Sequence, residues 1–247
     1  MSLKYCVIAE NPVQKIISSA VTDYAFDAVE VALENNPDVI LCLDRNELSA
    51  GFVDLCKQHD FNCIGVTKNF LRLETSRFCA KMFAANNGIL CPRLLPIECP
   101  DYPQVVKLDE RLDNSVKVVL NDAEKKSFTT ENAGHKYFVE EFLDGEIFSP
   151  ILFLYKGKLI PFENYSDLFD NFTPQKREKF KILLQKLESA FVAENAEFNA
   201  IFALNLMWSQ NEFYLAGFKF TFKPEELKEF TDRCGKEFFR LIFYGDK

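Results

Sequence analysis

The chain has 247 residues, of which 48% are hydrophobic and 27% charged, and its formal net charge is −8. This composition is that of an ordinary globular protein with room for one large domain or two to three lobes. The acidic balance argues against nucleic acid and anionic lipid as partners, because both favour a basic surface, and no apolar run approaches the ~20 residues that span a bilayer.

The cysteines and the amino terminus indicate the compartment. The chain has eight cysteines and two histidines, and no two cysteines form a C-x-x-C pair. Most of the cysteines lie in apolar runs, where a free thiol behaves as a small buried side chain, so a structural zinc site is not expected. Since no export signal opens the chain, we expect a cytoplasmic protein with free thiols.

The first 66 residues predict a parallel α/β lobe. Strands alternate with helices in the order strand, helix, helix, strand, helix, strand: Leu3–Ala9, 12–21, 27–35, Val39–Leu43, 47–59 and Phe61–Gly65. Ligands of such sheets bind at the carboxyl ends of strands, usually against glycine-rich turns, but the turns after the first two strands contain no glycine. Arg45, just after the second strand, suits either a phosphate contact or an ordinary surface position.

A helical linker and a strand are predicted over residues 67–106. Thr75 or Ser76 can cap a helix that Gly88 ends, and Arg77 lies on the same helical face as Lys81, four residues later. The strand that follows ends in Lys107. Each of these cations suits either a solvated surface or a contact with a phosphate.

The stretch after residue 136 predicts a strand, Tyr137–Glu141, that stops at an Asp-Gly pair before a second apolar run begins at Ile147. Two interpretations fit this pattern. In the first, it is a strand, a turn and a strand with solvated acids. In the second, it is a nucleotide-binding hinge, in which the backbone at Phe142–Leu143 contacts adenine while nearby carboxylates reach ribose or a metal.

The remaining patterns predict a larger second lobe. A glycine turn at 156–158 indicates a hairpin, and Pro174 opens a long helix with an apolar stripe. Two apolar strands follow, Phe198–Trp208 and Glu212–Phe222, and a last helix begins at Pro224.

Together these segments resemble the ATP-grasp enzymes, in particular the phosphoribosylamine–glycine ligases. The matching positions are Gly65, Thr67, Lys68, Leu73, Glu74, Ser76, Ala80, Lys81, Gly88, Ile89, Pro92 and the run from Glu140 to Glu146. The resemblance spans roughly residues 3–225 and implies an ATP-grasp fold of the α/β class with a Rossmann-like amino-terminal lobe. It divides the chain into that lobe (1–66), a linker with the first strand (67–106), a shortened lid lobe (107–140) and a large lobe (141–247). The ligases continue beyond this point into a further domain.

The resemblance also implies ATP as the cofactor and a set of nucleotide-binding residues. Arg77 and Lys107 stand where the family contacts phosphates, and Arg77 keeps the charge of the family's lysine with a different shape. The other members of the set belong to the hinge, and they are Glu140, Glu141, Phe142, Leu143 and Glu146.

Four departures from the family bear on its chemistry. The lid segment 109–117 contains no glycine, and Ile147 takes the place of the glutamate that binds ribose hydroxyls. Of the family's substrate-site cluster only Asp167 remains. Ala216 and Phe218 fall at the two magnesium-ligand positions, and neither offers the hard oxygen that Mg²⁺ requires.

We therefore expect a ligase-like protein of purine biosynthesis, related to enzymes that join a carboxylate to an amine with ATP, with impaired or altered activity and without a magnesium site. The alternative is a non-catalytic protein that keeps only the fold and binds a nucleotide, a protein partner or a second copy of itself. Titration with ATP, with and without magnesium, distinguishes the two.

Overall fold

The computed structural model describes residues 5–9, 37–162, 169–230 and 232. The helices predicted over 12–21 and 27–35, residue Asp167 and most of the last predicted helix lie outside these ranges. Seven of the eight cysteines lie within them, and all seven are free thiols. In the described ranges, no helix combines the length and the apolarity needed to cross a bilayer.

The amino-terminal lobe is a three-stranded parallel sheet, as the sequence predicts. Its strands, in spatial order, are β1 (Tyr5–Ile8), β2 (Val39–Cys42) and β3 (Cys63–Ile64). The single helix predicted after β2 is two helices, α1 (Arg45–Ala50) and α2 (Phe52–Gln58), because the backbone turns at Gly51, where φ is 94°. The Asp44 carboxylate caps α1 by accepting from two backbone N–H groups. This cap places Arg45 at the carboxyl end of β2.

Two further helices, α3 (Lys68–Thr75) and α4 (Arg77–Asn86), link this lobe to the rest of the molecule. Ser76 lies between them, and its hydroxyl accepts a hydrogen bond of 3.0 Å from the backbone N–H of Cys79. The predicted helix cap is therefore confirmed. Because the cap fixes where α4 starts, it also fixes the direction in which Arg77 leaves the helix.

The small lobe is a four-stranded antiparallel sheet with one helix on one face. Its strands are β4 (Leu94–Leu95), β5 (Gln104–Leu108), β6 (Val116–Val119) and β7 (Tyr137–Glu141), in the order β4-β7-β5-β6, and the helix is α5 (Asp122–Glu131). Val106, Phe128 and Val139 form the core between sheet and helix. Since side chains alternate across a strand, Lys107 and Glu140 point to the opposite face.

The large lobe is a five-stranded sheet with a long helix. Its strands are β8 (Glu146–Phe148), β9 (Ile151–Tyr155), β10 (Lys158–Pro161), β11 (Ala200–Ser209) and β12 (Glu212–Lys219), in the order β10-β9-β11-β12, with β8 also paired to β11. The long helix, α6 (Pro174–Ala193), starts at the predicted proline and is capped by the Thr173 hydroxyl. A further helix, α7, covers residues 224–230.

The two faces of the large sheet pack against different parts of the molecule. One face, with Phe202 and Phe218, packs on α3, α4 and α6 in a core rich in phenylalanine. The other face, with Ile201, packs against Val7 and Leu41 of the amino-terminal sheet. The amino-terminal lobe and the large lobe therefore share a hydrophobic core. This shared core holds the end of β2 beside β12.

A β-bulge interrupts the pairing of β11 with β12. Asn205 is opposite Gly217, but the next pair is Leu206 with Leu215, so Ala216 is the extra residue. A bulge shifts the alternation of side chains by one position. As a result, Tyr214 and Gly217 lie on the same face of β12, although they are three residues apart.

Candidate functional site

A cavity of about 480 Å³ opens where the end of β2, the segment after β5 and the end of β12 meet. Four cationic side chains line it, and we call them the cationic pocket: Arg45, Arg111, Lys219 and Lys223. Glu74 and Asn205 also line the cavity, so Glu74 is its one carboxylate among the described residues. The volume lies within the range of small-molecule sites, and the excess of cations favours an anionic ligand.

The carboxylate of Glu74 is fully engaged by the protein. It is only 4% exposed, and it accepts hydrogen bonds from the backbone N–H groups of Phe220 and Thr221 and from the Thr221 hydroxyl. Arg45 Nη2 lies 3.2 Å from its Oε1. Because these donors use both oxygens, Glu74 joins α3 to the end of β12 and is not available as a metal ligand.

Arg111 enters the pocket against a glycine. A Cβ atom on Gly217 would lie 2.6 Å from Arg111 Nη2, closer than real Cβ contacts, so only glycine at this position allows the guanidinium to lie there. Burial lowers the pKa of Arg111, with the nearby charge of Glu74 acting in the opposite direction and that of Arg45 in the same direction. Arginine nevertheless stays protonated in proteins, so the group enters the pocket as a cation.

The segment that carries Arg111 is anchored to the start of α4. Arg77 donates to the carbonyl of Leu108 at 2.9 Å, to the carbonyl of Glu110 and to the Ser115 hydroxyl at 2.9 Å. The Asp109 carboxylate accepts from the Ser76 hydroxyl at 2.7 Å and from a backbone N–H of α4. Arg77 therefore holds the loop on both sides of Arg111.

The acidic residues of this segment do not face the pocket. Asp109 is used at the start of α4, and Glu110 lies 2.6 Å from Nδ1 of His135. The segment has no glycine, as the sequence indicates, and its third acid, Asp113, is exposed and does not line the cavity. Its contribution to the pocket is the cation Arg111.

Lys219 has one acidic neighbour at the rim of the pocket. Its ammonium pairs with Glu226, which also accepts a 2.9 Å hydrogen bond from the backbone N–H of Lys223. Partial burial raises the pKa of Glu226, but the hydrogen bonds and charges of the two lysines outweigh this and hold the pKa below its ordinary value. Glu226 therefore offsets one of the four positive charges.

A partly exposed apolar row lies beside the cationic pocket on the same face of the sheet. Ile147 is opposite Met207 and Met207 is opposite Tyr214, across β8, β11 and β12. Directly opposite residues share a face, and Met207 follows the pocket residue Asn205 by two positions, which is one alternation along β11. Ile147 is 75% exposed. We call these three residues the apolar row.

The predicted hinge crosses between the two lobes with most of its acids paired. Glu140 is buried between Lys81, 2.6 Å from Oε1, and Lys107, 2.5 Å from Oε2. The Lys107 contact is an ion pair without hydrogen-bond geometry. Glu141 accepts from the backbone N–H of Arg93 at 2.8 Å. Lys107 and Glu140 thus lie together on the face of the small lobe away from α5.

The rest of the hinge leads into the large lobe. Phe142 is 39% exposed and Leu143 is buried. Glu146 lies 2.8 Å from Lys176, whose ammonium also sits over the Phe148 ring. Gly145 is required by close approach, because a Cβ there would lie 2.3 Å from the carbonyl oxygen of Trp208.

The positions aligned with magnesium ligands do not face the cavity as a pair. Ala216 is the bulge residue, and Phe218 is fully buried among aromatic rings. The residues of β12 that face the pocket two positions apart are Gly217 and Lys219. Neither supplies an oxygen from its side chain, and within the described ranges no three His, Cys, Asp or Glu residues cluster as a metal site would require. The described residues therefore do not fit Mg²⁺.

Comparison with known proteins defines the class of fold. No family model matches the chain. The structure superimposes on the phosphoribosylamine–glycine ligase of Thermotoga maritima with a TM-score of 0.71, at 17% identity over 98% of this chain and 74% of that one. It superimposes on the D-alanine–D-alanine ligase of Bacillus anthracis, solved in complex with ATP, with a TM-score of 0.56, at 13% identity over 97% and 98%. The chain has the ATP-grasp fold, and that prediction is confirmed.

Among curated proteins, the chain is similar to the phosphoribosylamine–glycine ligase of Pseudomonas putida. The two are 28% identical over an alignment 153 residues long, which covers 54% of this chain and 36% of the ligase. The matched segment thus spans about a third of that relative. The predicted resemblance to phosphoribosylamine–glycine ligases is confirmed by both comparisons.

Sequence reasoning singled out Arg45 but missed Arg111, Lys219 and Lys223 as pocket residues. Arg111 was hidden in a segment that reads as acidic, and its role depends on contacts made by Arg77 some 33 residues earlier in the chain. For Lys219 a signal was available, because it alternates with buried phenylalanines at 218 and 220. The bulge at Ala216 was not recognisable from the alternation alone.

Proposed function

We propose that this chain is a nucleotide-binding protein that uses the ATP-grasp fold without the magnesium-dependent ligase reaction. The base would lie on the apolar row and the phosphates would extend into the cationic pocket. The observation that carries the proposal is the register of β11 and β12, because it places Met207 and Tyr214 on one face with Asn205, Gly217 and Lys219. A flat apolar surface next to a group of cations matches a ligand with a ring at one end and negative charge at the other.

The hinge residues would complete this site from the side. Backbone groups at Glu141, Phe142 and Leu143 would contact the base. Glu146 is opposite Trp208 on the other face of the sheet, where it pairs with Lys176, so it would not contact the base from the apolar row. Lys107 is already paired with Glu140, so only part of its positive charge would be available to the phosphates. Arg77 would act through the loop that it holds, because its donors are engaged there.

The side chains that line the pocket do not suit a magnesium-dependent ligation step. A metal-bound triphosphate requires oxygen ligands, whereas the described pocket offers four cations and a carboxylate that is already engaged. The pocket residues can bind and orient an anion, and they can neutralise its charge. No described side chain is placed to activate a carboxylate for attack by an amine.

A second candidate function is a carboxylate–amine ligation of purine biosynthesis. It is favoured by the 153-residue match to a protein named phosphoribosylamine–glycine ligase. In that case residues outside the described ranges would have to supply the metal ligands. The free thiols agree with a cytoplasmic location, and a homodimer or a protein partner remains a prediction that sedimentation analysis would test.

Isothermal titration of the full chain with ATP tests the proposal. We expect saturable binding with one site, and we expect the charge reversal Lys219→Glu to weaken it at least tenfold. Lys57→Glu is the matched control, because Lys57 is also paired with a glutamate, Glu197, but lies on the amino-terminal lobe. No binding by the wild-type protein would refute the proposal. Turnover of phosphoribosylamine, glycine and Mg-ATP would establish the second candidate instead.

A further inference from the structure

We propose that the site binds its nucleotide in the metal-free form, with Arg111 and Lys219 supplying the positive charge that a magnesium ion supplies in other nucleotide sites. This inference rests on the proposed function, since it specifies which form of the ligand the same site takes. It makes a prediction opposite in sign to that for a magnesium-dependent enzyme. Added Mg²⁺ would weaken binding.

The first step of the argument is that Arg111 lies in the pocket without a protein partner. Its Nε is buried and has no hydrogen-bond acceptor, and no ion pair or hydrogen bond of its side chain is found among the described residues. A buried donor without an acceptor costs free energy. The chain nevertheless makes room for this group, because Gly217 leaves open the space that any other residue would fill.

The second step is that the negative charge of Glu74 does not explain why Arg111 places a positive charge in the pocket. The Glu74 carboxylate already accepts three hydrogen bonds from Phe220 and Thr221, and it pairs with Arg45 at 3.2 Å. The charge of Arg111 is therefore in excess of what the pocket's carboxylate requires. An anionic ligand would provide the missing acceptor.

The third step is where this charge lies. Arg111 contacts Gly217 of β12, and Lys219 is the next residue on the same face of that strand. These are the positions of the strand that the resemblance associates with magnesium ligands, shifted by one residue through the bulge. A divalent cation brought to this place would meet a guanidinium and an ammonium, and like charges repel most strongly where water is partly excluded.

The fourth step is that the loop carrying Arg111 is held in place before any ligand arrives. Arg77 and Asp109 fix the loop on both sides of Arg111 through contacts with α4. A loop that is already anchored loses less conformational freedom on binding than a mobile one. Arginine also presents planar, paired donors that match phosphate oxygens.

Calorimetric titration of the full chain with ATP, in EDTA and in excess MgCl₂, tests the inference. We expect binding in EDTA to be at least threefold tighter than in MgCl₂. Arg111→Gln should weaken metal-free binding at least tenfold, and Gly217→Ala should weaken it as well, because the added methyl group displaces the guanidinium and leaves its charge intact. Lys117→Gln is the matched control, since Lys117 is opposite Val106 on the face of the small sheet that packs on α5.

The outcomes separate this inference from the function on which it rests. Binding only in the presence of magnesium would overturn the metal-free form and leave the nucleotide site standing. Equal metal-free binding by Arg111→Gln and the wild type would also overturn it. Absence of binding under both conditions would overturn the proposed function too. Circular dichroism of each variant confirms that the comparison is made between folded proteins.

Discussion

The two faces of β12 have opposite chemistry within a few residues. On one face Phe218 and Phe220 are buried, with stacked rings whose centroids are 5.9 Å apart. On the other face Gly217, Lys219 and Thr221 meet the cavity with Arg111 and Glu74. Because side chains alternate along a strand, the residues that maintain the fold and those that line the cavity can change independently.

The core on the buried face contains many of the chain's 26 phenylalanines. Phe218 contacts four other rings, those of Phe83, Phe191, Phe202 and Phe220. Aromatic pairs of this kind add to the stability gained by burying their area. The rings connect α4, α6, β11 and β12, so these elements are held together by side chains that do not line the cavity.

The largest expected effect comes from breaking the buried face. Phe218→Ala should lower the free energy of unfolding by about 3–5 kcal/mol, because it removes a fully buried ring and leaves a cavity. Urea denaturation measures this loss. Lys219→Ala, on the next residue and the opposite face, should cost less than about 1 kcal/mol, since its ion pair is partly exposed. Similar losses for the two variants would mean that the faces are not distinct.

The next largest effect comes from Glu74, which joins α3 to the end of β12. Glu74→Gln should lower the free energy of unfolding by about 2–3 kcal/mol, since the buried carboxylate takes hydrogen bonds from three groups at the end of β12 and pairs with Arg45. Glu197→Gln is the control, because the pair of Glu197 with Lys57 is at the surface and should contribute less than about 1 kcal/mol. Equal stability of Glu74→Gln and the wild type would show that this link is not structural.

The same comparison explains how much the sequence could predict. The fold was accessible because its signals are local and repeated, such as the Ser76 cap, the strand before the hinge and the proline that opens α6. The pocket was less accessible, because it depends on one-residue events and long side chains. The bulge at Ala216 moves the pocket-facing positions from 216 and 218 to 217 and 219, and alternation alone does not reveal an inserted residue.

The third effect is a change in ATP affinity caused by a substitution in the apolar row. Ile147→Glu would place a carboxylate at the exposed end of the apolar row, where the resemblance puts the glutamate that binds ribose. If a nucleotide lies on this row, a new hydrogen bond to a ribose hydroxyl should raise its affinity about three- to tenfold, as a bond of about 1 kcal/mol would. Ile147→Leu, which keeps the apolar surface, should leave the affinity unchanged. Weaker binding of ATP by Ile147→Glu would place the ribose elsewhere.

The smallest effect concerns the ion pair at the rim of the pocket. Burial raises the pKa of Glu226, but its hydrogen bonds with Lys219 and Lys223 and the charges of these two lysines lower it. In the folded protein the pKa therefore lies below its ordinary value of 4.5. A carboxyl group whose pKa is lowered by folding stabilises the folded state above its ordinary pKa, and that contribution is lost as the pH falls through the lowered value. The wild type should therefore be slightly more stable than Glu226→Gln above about pH 5, and the difference should shrink as the pH falls below 4.5 through the lowered pKa. Thermal melts across this range measure the difference, and a gap that widened on acidification would show that Glu226 is not held ionised by these lysines.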